Sequence, residues 1–128
     1  MIEINNLTVI YPDGTKAVDN ISFTAGGGES IALVGANGAG KTSLLLSLVG
    51  VIPIHSGTVT ADGTALNKKT LNEIRRKIGM VFQNPDDQLF MPMIVDDVAF
   101  GPRNYGCSEA EVKERVDATL QALGITHL

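Results

Sequence analysis

The sequence predicts a mixed α/β domain that opens with an antiparallel pair of strands and passes through a glycine-rich loop into a layered core. Three observations carry that expectation. Apolar residues alternate at Ile2, Ile4, Leu7 and Val9, and again at Val18, Ile21 and Phe23, the period of half-buried strands. The apolar run Glu29-Ser-Ile-Ala-Leu-Val34 reads as a strand buried on both faces, as in the middle of an α/β sheet. Between that run and a leucine-rich stretch at 43–49 lies Gly35-Ala-Asn-Gly-Ala-Gly-Lys-Thr42, a strand-to-helix connection with glycine at three of its positions.

The remaining elements follow in order. Tyr11-Pro-Asp-Gly14 supplies the turn between the first two strands, and Gly26-Gly-Gly28 punctuates the chain before 29–34. The helix at 43–49 is expected to be buried and to end near Gly50 and Pro53. Gly57-Thr-Val-Thr-Ala-Asp-Gly63 predicts a strand closing in an Asp-Gly turn. Thr70-Leu-Asn-Glu73 has the spacing of a capping box and predicts a short helix, followed by a buried strand at 78–82. A second capping box, Ser108-Glu-Ala-Glu111, starts a helix with Val112, Val116, Leu120 and Leu123 on one face and Gly124 as its stop.

With 128 residues, 44% hydrophobic and 19% charged, the chain has the size and composition of one ordinary globular domain. Its formal charge of −4 argues against nucleic acid as a partner, which would require a surplus of clustered Lys and Arg. The basic residues that do cluster, Arg75, Arg76 and Lys77 with Lys68 and Lys69 upstream, read as a solvated face. Cys107 is the sole cysteine, which excludes an intramolecular disulfide framework and fits a reducing setting. The first residues lack the basic and apolar regions of a signal peptide. The longest apolar stretch, 44–54, is interrupted by Ser47, Gly50 and Pro53 and is shorter than the ~20 residues that span a bilayer.

The loop at 35–42 is a P-loop, and each part has a physical reason. Gly35, Gly38 and Gly40 let the backbone curl around an anion and expose several N–H groups to it. The following helix adds its positive end. Lys41 can bridge β- and γ-phosphates, and the Thr42 hydroxyl can ligate Mg²⁺. Asn37, Ala39 and Ser43 complete the set of nucleotide-binding positions. Asn67-Lys68-Lys69-Thr70 has the outline of a guanine-reading motif, but Thr70 stands where the carboxylate that pairs with guanine is needed, so ATP is favoured over GTP.

With this loop followed by Val81-Phe-Gln-Asn-Pro-Asp-Asp-Gln-Leu-Phe90, the chain resembles the ATP-binding subunits of ABC transporters over essentially its whole length. The second string, with Asp97-Val-Ala-Phe-Gly-Pro102, is similar to the Q-loop region of the cobalt/nickel and energy-coupling-factor importers. The resemblance implies a P-loop NTPase fold, a RecA-like core with an antiparallel N-terminal β-subdomain. It places Tyr11 where an aromatic stacks on adenine and Val18 where an apolar residue covers the nucleoside. It makes Gln83 the glutamine that reaches Mg²⁺ and the attacking water, so that Lys41 and Gln83 are the catalytic candidates. It further implies a second ATP-binding subunit, and a transmembrane subunit docking near 83–91 through Leu89, Phe90 and Met91, at the cytoplasmic face of the membrane.

Asp86, Asp87, Asp96 and Asp97 suggest a metal site, but turn chemistry and helix dipoles favour carboxylates at such positions without one. Met93 departs from the resemblance, standing where relatives commonly have Thr, with a weakened helix cap as the expected result. The Leu-Ser-Gly-Gly-Gln signature, the apolar strand ending in Asp-Glu (Walker B) and the switch histidine of the family are absent from 1–128; His55 and His127 lie in the wrong contexts to supply the last. The chain therefore reads as the N-terminal portion of such a domain, truncated, binding MgATP but not hydrolysing it alone. The alternatives are a non-catalytic nucleotide-binding module and a soluble ABC-type ATPase working outside transport.

Overall fold

The computed structural model describes residues 1–84, 86 and 88–127, so that Pro85 and Asp87 of the second string, and Leu128, lie outside the described residues. The chain forms two compact units, Met1–Met80 and Val81–Leu128.

In the first unit, β1 (Ile2–Ile10) pairs antiparallel with β2 (Lys16–Ala25) on one side and with β3 (Ser56–Ala61) on the other, and β4 (Thr64–Ala65) closes the sheet in the order β2-β1-β3-β4. The antiparallel N-terminal sheet is therefore as the alternation predicts. That alternation contains a phase change, since Ile2 and Ile4 are even-numbered but Leu7 and Val9 odd. The structure explains it. Asn6 and Asn20 adopt left-handed backbone (φ 49° and 51°), the register shifts between the Ile4↔Phe23 and Leu7↔Ile21 pairs, and Asn6 Nδ2 donates to Asn20 Oδ1 at 2.9 Å. Asparagine tolerates this conformation better than most residues. The irregularity turns Ile4, Leu7 and Val9 all into the core.

The turn after β1 is closed by Gly14 N donating to Tyr11 O and Tyr11 N donating to Thr15 O, both at 2.9 Å. Inside it, the backbone N–H of Thr15 donates to Asp13 Oδ1 and holds that carboxyl below the usual carboxylate range. Between β3 and β4, Asp62 and Gly63 both have positive φ, as a two-residue hairpin turn of the primed type requires.

Helix α1 (Lys41–Leu48) lays Leu44 and Leu48 against Ile4, Leu7, Val9, Val18 and Val59. Burying each side chain of this size contributes about 1.5–3 kcal/mol. Ser47, fully buried on the same helix, satisfies its hydroxyl by donating to Leu44 O at 2.6 Å. The helix stops at Val49 and the left-handed Gly50, as expected.

Helix α2 (Leu71–Lys77) buries Ile74 completely. Its predicted capping box is not formed. The Thr70 hydroxyl donates to Ala65 O (2.5 Å) and accepts from Asn67 N (3.0 Å), while Glu73 accepts from Thr64 Oγ1 (2.6 Å) and pairs with Lys77 (2.9 Å). Both side chains are drawn to the β4 connection instead of back onto the helix. Asn67 Oδ1 accepts from Lys69 N and Thr70 N, so the segment resembling a base-reading motif is a side-chain-stabilised turn.

Two further expectations are corrected. Residues 29–34 and 78–82 form no ladder among the described residues, and Ile31, Val34 and Val81 are 49%, 93% and 87% exposed. Their apolar composition suits burial on two faces. A strand, however, exists only with neighbours, and among the described residues β1 to β4 pair with one another and with neither run. Leu33 and Ile78 alone from these runs pack on the first core.

In the second unit, α3 (Ile94–Asn104) and α4 (Glu109–Leu123) bury Ala99, Val112 and Val116 between them, with Val98, Cys107 and Leu120 alongside. The Ser108/Glu111 box forms in full, and Gly124 ends α4 in left-handed conformation. Leu123 was expected on the buried face but is 65% exposed, because the contact with α3 ends a turn earlier. Helix α3 was legible in the sequence only as a helix start, since Asp96-Asp97 and Gly101-Pro102 break its apolar pattern. Its N-cap, Met93, makes no side-chain capping bond, in line with the missing Thr.

Candidate nucleotide-binding site

The loop at 35–40 leaves the extended segment after β2 and enters α1 through two left-handed glycines, Gly38 (φ 83°) and Gly40 (φ 87°). Gly40 lies against β2, where a Cβ would stand 1.9 Å from the Ala17 carbonyl oxygen. Only glycine permits both the backbone angle and the approach. Lys41 folds back under the loop, its Nζ donating to Gly35 O at 2.7 Å and Ala36 O at 2.8 Å. The first turn of α1 carries no acidic residue, and Gly40 offers no side-chain cap, so the positive end of the helix faces the loop unopposed.

Thr42 is exposed at the start of α1, whereas Ser43 is buried and shares a 2.8 Å hydrogen bond with the Tyr11 hydroxyl. Val18 is buried and lines a cavity of about 410 Å³ together with Leu33, Val34, Ala39, Gly40 and Lys41; Lys16 and Asp19, paired at 3.2 Å, also line it. Tyr11 does not line this cavity. The fold thus gathers Gly35, Asn37, Gly38, Ala39, Gly40, Lys41, Thr42 and Ser43 on one loop and helix start, Val18 at its β2 side, and Tyr11 against Ser43. Ala17 was missed by sequence reasoning. Its contribution is a backbone carbonyl, which leaves no signature in residue type.

Gln83 belongs to the second unit, where it is exposed. In that unit Leu89, Phe90 and Met91 are also exposed, and the Phe90 ring meets Phe100 edge-on at 4.7 Å. Of the four carboxylates that suggested a metal site, Asp96 pairs with Arg103 (3.4 Å) and Asp97 Oδ1 accepts from Met91 N (3.1 Å); Asp86 is exposed and Asp87 lies outside the described residues. Arg103 also forks onto Glu109, which raises its own pKa and lowers that of Glu109.

The residues of the loop fit a Mg²⁺-bound polyphosphate. Backbone at left-handed glycines, an ammonium held by carbonyls that an anion can replace, and the exposed hydroxyl of Thr42 are the donor set that such a group requires. Glycine-lined backbone running from an extended segment into a helix, with Lys-Thr at the junction, defines a P-loop domain of the α/β class. The ABC transporter family model matches residues 18–128, and the chain belongs to that family.

Among curated relatives, the energy-coupling factor transporter ATP-binding protein EcfA of Methanosphaera stadtmanae is 50% identical over 128 residues, which cover 98% of this chain and 46% of the relative. The protein of the same name from Methanothermobacter thermautotrophicus is 48% identical, covering 98% and 41%. The solved structure of CbiO1 from Clostridium perfringens, described as part of the ABC transporter complex CbiONQ, superposes with a TM-score of 0.83 at 36% identity, covering 99% of this chain and 51% of that one. The chain spans about half the length of the curated relatives it matches. These likenesses bear out the P-loop NTPase fold with its antiparallel N-terminal sheet.

Proposed function

We propose that residues 1–128 form the MgATP-binding half-site of an ATP-binding subunit in an importer of the energy-coupling-factor or cobalt/nickel type. One observation carries the binding step: Lys41 lies beneath a loop of left-handed glycines with its ammonium held, among the described residues, by the Gly35 and Ala36 carbonyls. An incoming phosphate offers that ammonium a stronger, charge-assisted partner. In this reading the loop N–H groups and Lys41 hold the β- and γ-phosphates, Thr42 supplies a hydroxyl to Mg²⁺, and Ser43 adds a hydroxyl at the helix start. Mg²⁺ would neutralise charge on the phosphate oxygens. Val18 covers the nucleoside and Tyr11 stacks on the base; for Gln83, in the second unit, the family resemblance supports a role in sensing Mg²⁺ and orienting water.

The names of the relatives support a transport role; a second ATP-binding subunit and a membrane subunit are the partners this reading assigns to it. The exposed Leu89, Phe90 and Met91 suit a docking surface for the latter. No helix among the described residues is long and apolar enough to cross a membrane. This reading attaches the subunit to the cytoplasmic face through that partner. The cargo, a metal ion such as cobalt or nickel or else a vitamin, would be selected by the membrane subunit.

Calorimetric titration with MgATP tests the binding step. Lys41→Ala is expected to weaken binding by at least about tenfold, the equivalent of ~1.4 kcal/mol. Gln83→Ala is expected to leave affinity near wild type while changing its dependence on Mg²⁺. Equal MgATP affinity in wild type and Lys41→Ala would overturn the reading.

A further inference from the structure

The hydroxyls of Tyr11 and Ser43 are 2.8 Å apart, across 32 positions of sequence, in a partly buried contact. Serine within a helix can turn its hydroxyl back onto a carbonyl of the preceding turn. Ser47 does so on this same helix, toward Leu44 O. Ser43 is turned to Tyr11 instead. A serine hydroxyl has one proton to donate and two lone pairs with which to accept. When Tyr11 donates, the proton of Ser43 is left for another acceptor at the start of α1, beside the loop.

We propose that Tyr11 is a positioning residue through its hydroxyl: it donates to Ser43 Oγ and so aims the Ser43 proton at a phosphate oxygen of the bound nucleotide. The proposal rests on the MgATP reading above and deepens it. It assigns Tyr11 a role separate from base stacking, which uses the ring face and needs a base. The hydroxyl role needs only a phosphate. In such a chain each hydrogen bond polarises the next, and the bond from Ser43 to a charged oxygen is strengthened by the one behind it.

The experiment compares MgATP with magnesium tripolyphosphate, which has no base, as ligands of the wild-type chain and of Tyr11→Phe, Ser43→Ala and the double variant. Phenylalanine keeps the stacking ring and removes the hydroxyl. Tyr11→Phe is expected to weaken both ligands by the same factor, about two- to twelvefold. The double variant is expected to bind no more weakly than Ser43→Ala alone, because the tyrosine acts through the serine. Wild-type affinity for MgATP in Tyr11→Phe overturns the proposal, as does a loss confined to MgATP. A double variant that loses the product of the two single losses also overturns it, since a general loosening of the loop acts independently of Ser43. Failure of the wild-type chain to bind either ligand would instead remove the nucleotide reading itself.

Discussion

Gly40 and Ala17 meet backbone to backbone, with the carbonyl oxygen of Ala17 occupying the space a Cβ at Gly40 would need. This contact fastens the phosphate loop to β2 at the point where α1 begins, and so sets where Lys41 starts its reach toward Gly35 and Ala36. A loop glycine here serves packing as well as curvature, and the two roles can be separated experimentally.

Gly38 has nearly the same backbone angle as Gly40, but a Cβ there would meet nothing within 4 Å. Gly38→Ala is therefore expected to cost only the left-handed penalty, about 1–2 kcal/mol. Gly40→Ala adds about 1–3 kcal/mol for displacing the β2 backbone. Urea unfolding midpoints decide the matter. Equal midpoints for the two variants would show that the Ala17 contact carries no weight.

At the other side of the sheet, Gly57 has φ 91°, and a Cβ there would lie 2.4 Å from Asn6 O. Gly57→Ala should push on the irregularity that brings Leu7 and Val9 inward, destabilising the first unit by about 2 kcal/mol or more. Gly63→Ala, in open space at φ 76°, is the control and should cost about 1–2 kcal/mol. Thermal melts of the two variants provide the comparison.

Val34 and Val59 were both expected to be strand residues, yet one is 93% and the other 1% exposed. Val34→Thr should change stability by less than about 0.5 kcal/mol. Val59→Thr, which buries a hydroxyl in the first core, should cost about 1–3 kcal/mol. A large loss at Val34 would mean that the 29–34 run is covered in solution.

Glu111 accepts from the Ser108 hydroxyl and backbone N–H, at 2.7 and 2.8 Å, and these bonds lower its pKa below the usual glutamate range. A carboxyl lowered on folding stabilises the fold fully above its unfolded pKa, and that contribution is lost as pH falls through the folded value. Glu111→Ala should thus melt below wild type at neutral pH. The difference should narrow as the solution is acidified through and below the ordinary glutamate range. A gap independent of pH would contradict the assignment.

Legibility differed by the kind of information each element carries. The Ser108-Glu-Ala-Glu111 box formed as read because all its partners lie within one turn. The same spacing at Thr70-Leu-Asn-Glu73 failed because Ala65 O and Thr64 Oγ1, brought close by the β3–β4 hairpin, compete for its side chains. Helix α3 was obscured because part of its apolar pattern is spent on exposed residues, Ile94, Val95 and Phe100, which are 41%, 43% and 38% exposed.

Residue order was enough for features that are local: the P-loop, the antiparallel pairing of β1 with β2, the Asp62-Gly63 turn and the family to which the chain belongs. Each depends on residue type at fixed short spacing, where backbone sterics and hydrogen-bonding reach permit few alternatives. Tertiary packing was needed to settle the contact of Ala17 with Gly40, the hydrogen bond between Tyr11 and Ser43, and the exposure of Ile31, Val34 and Val81. Those depend on which distant segments arrive beside a residue. A carbonyl without a distinguishing side chain, or a strand without a neighbour, leaves no mark in the order of amino acids.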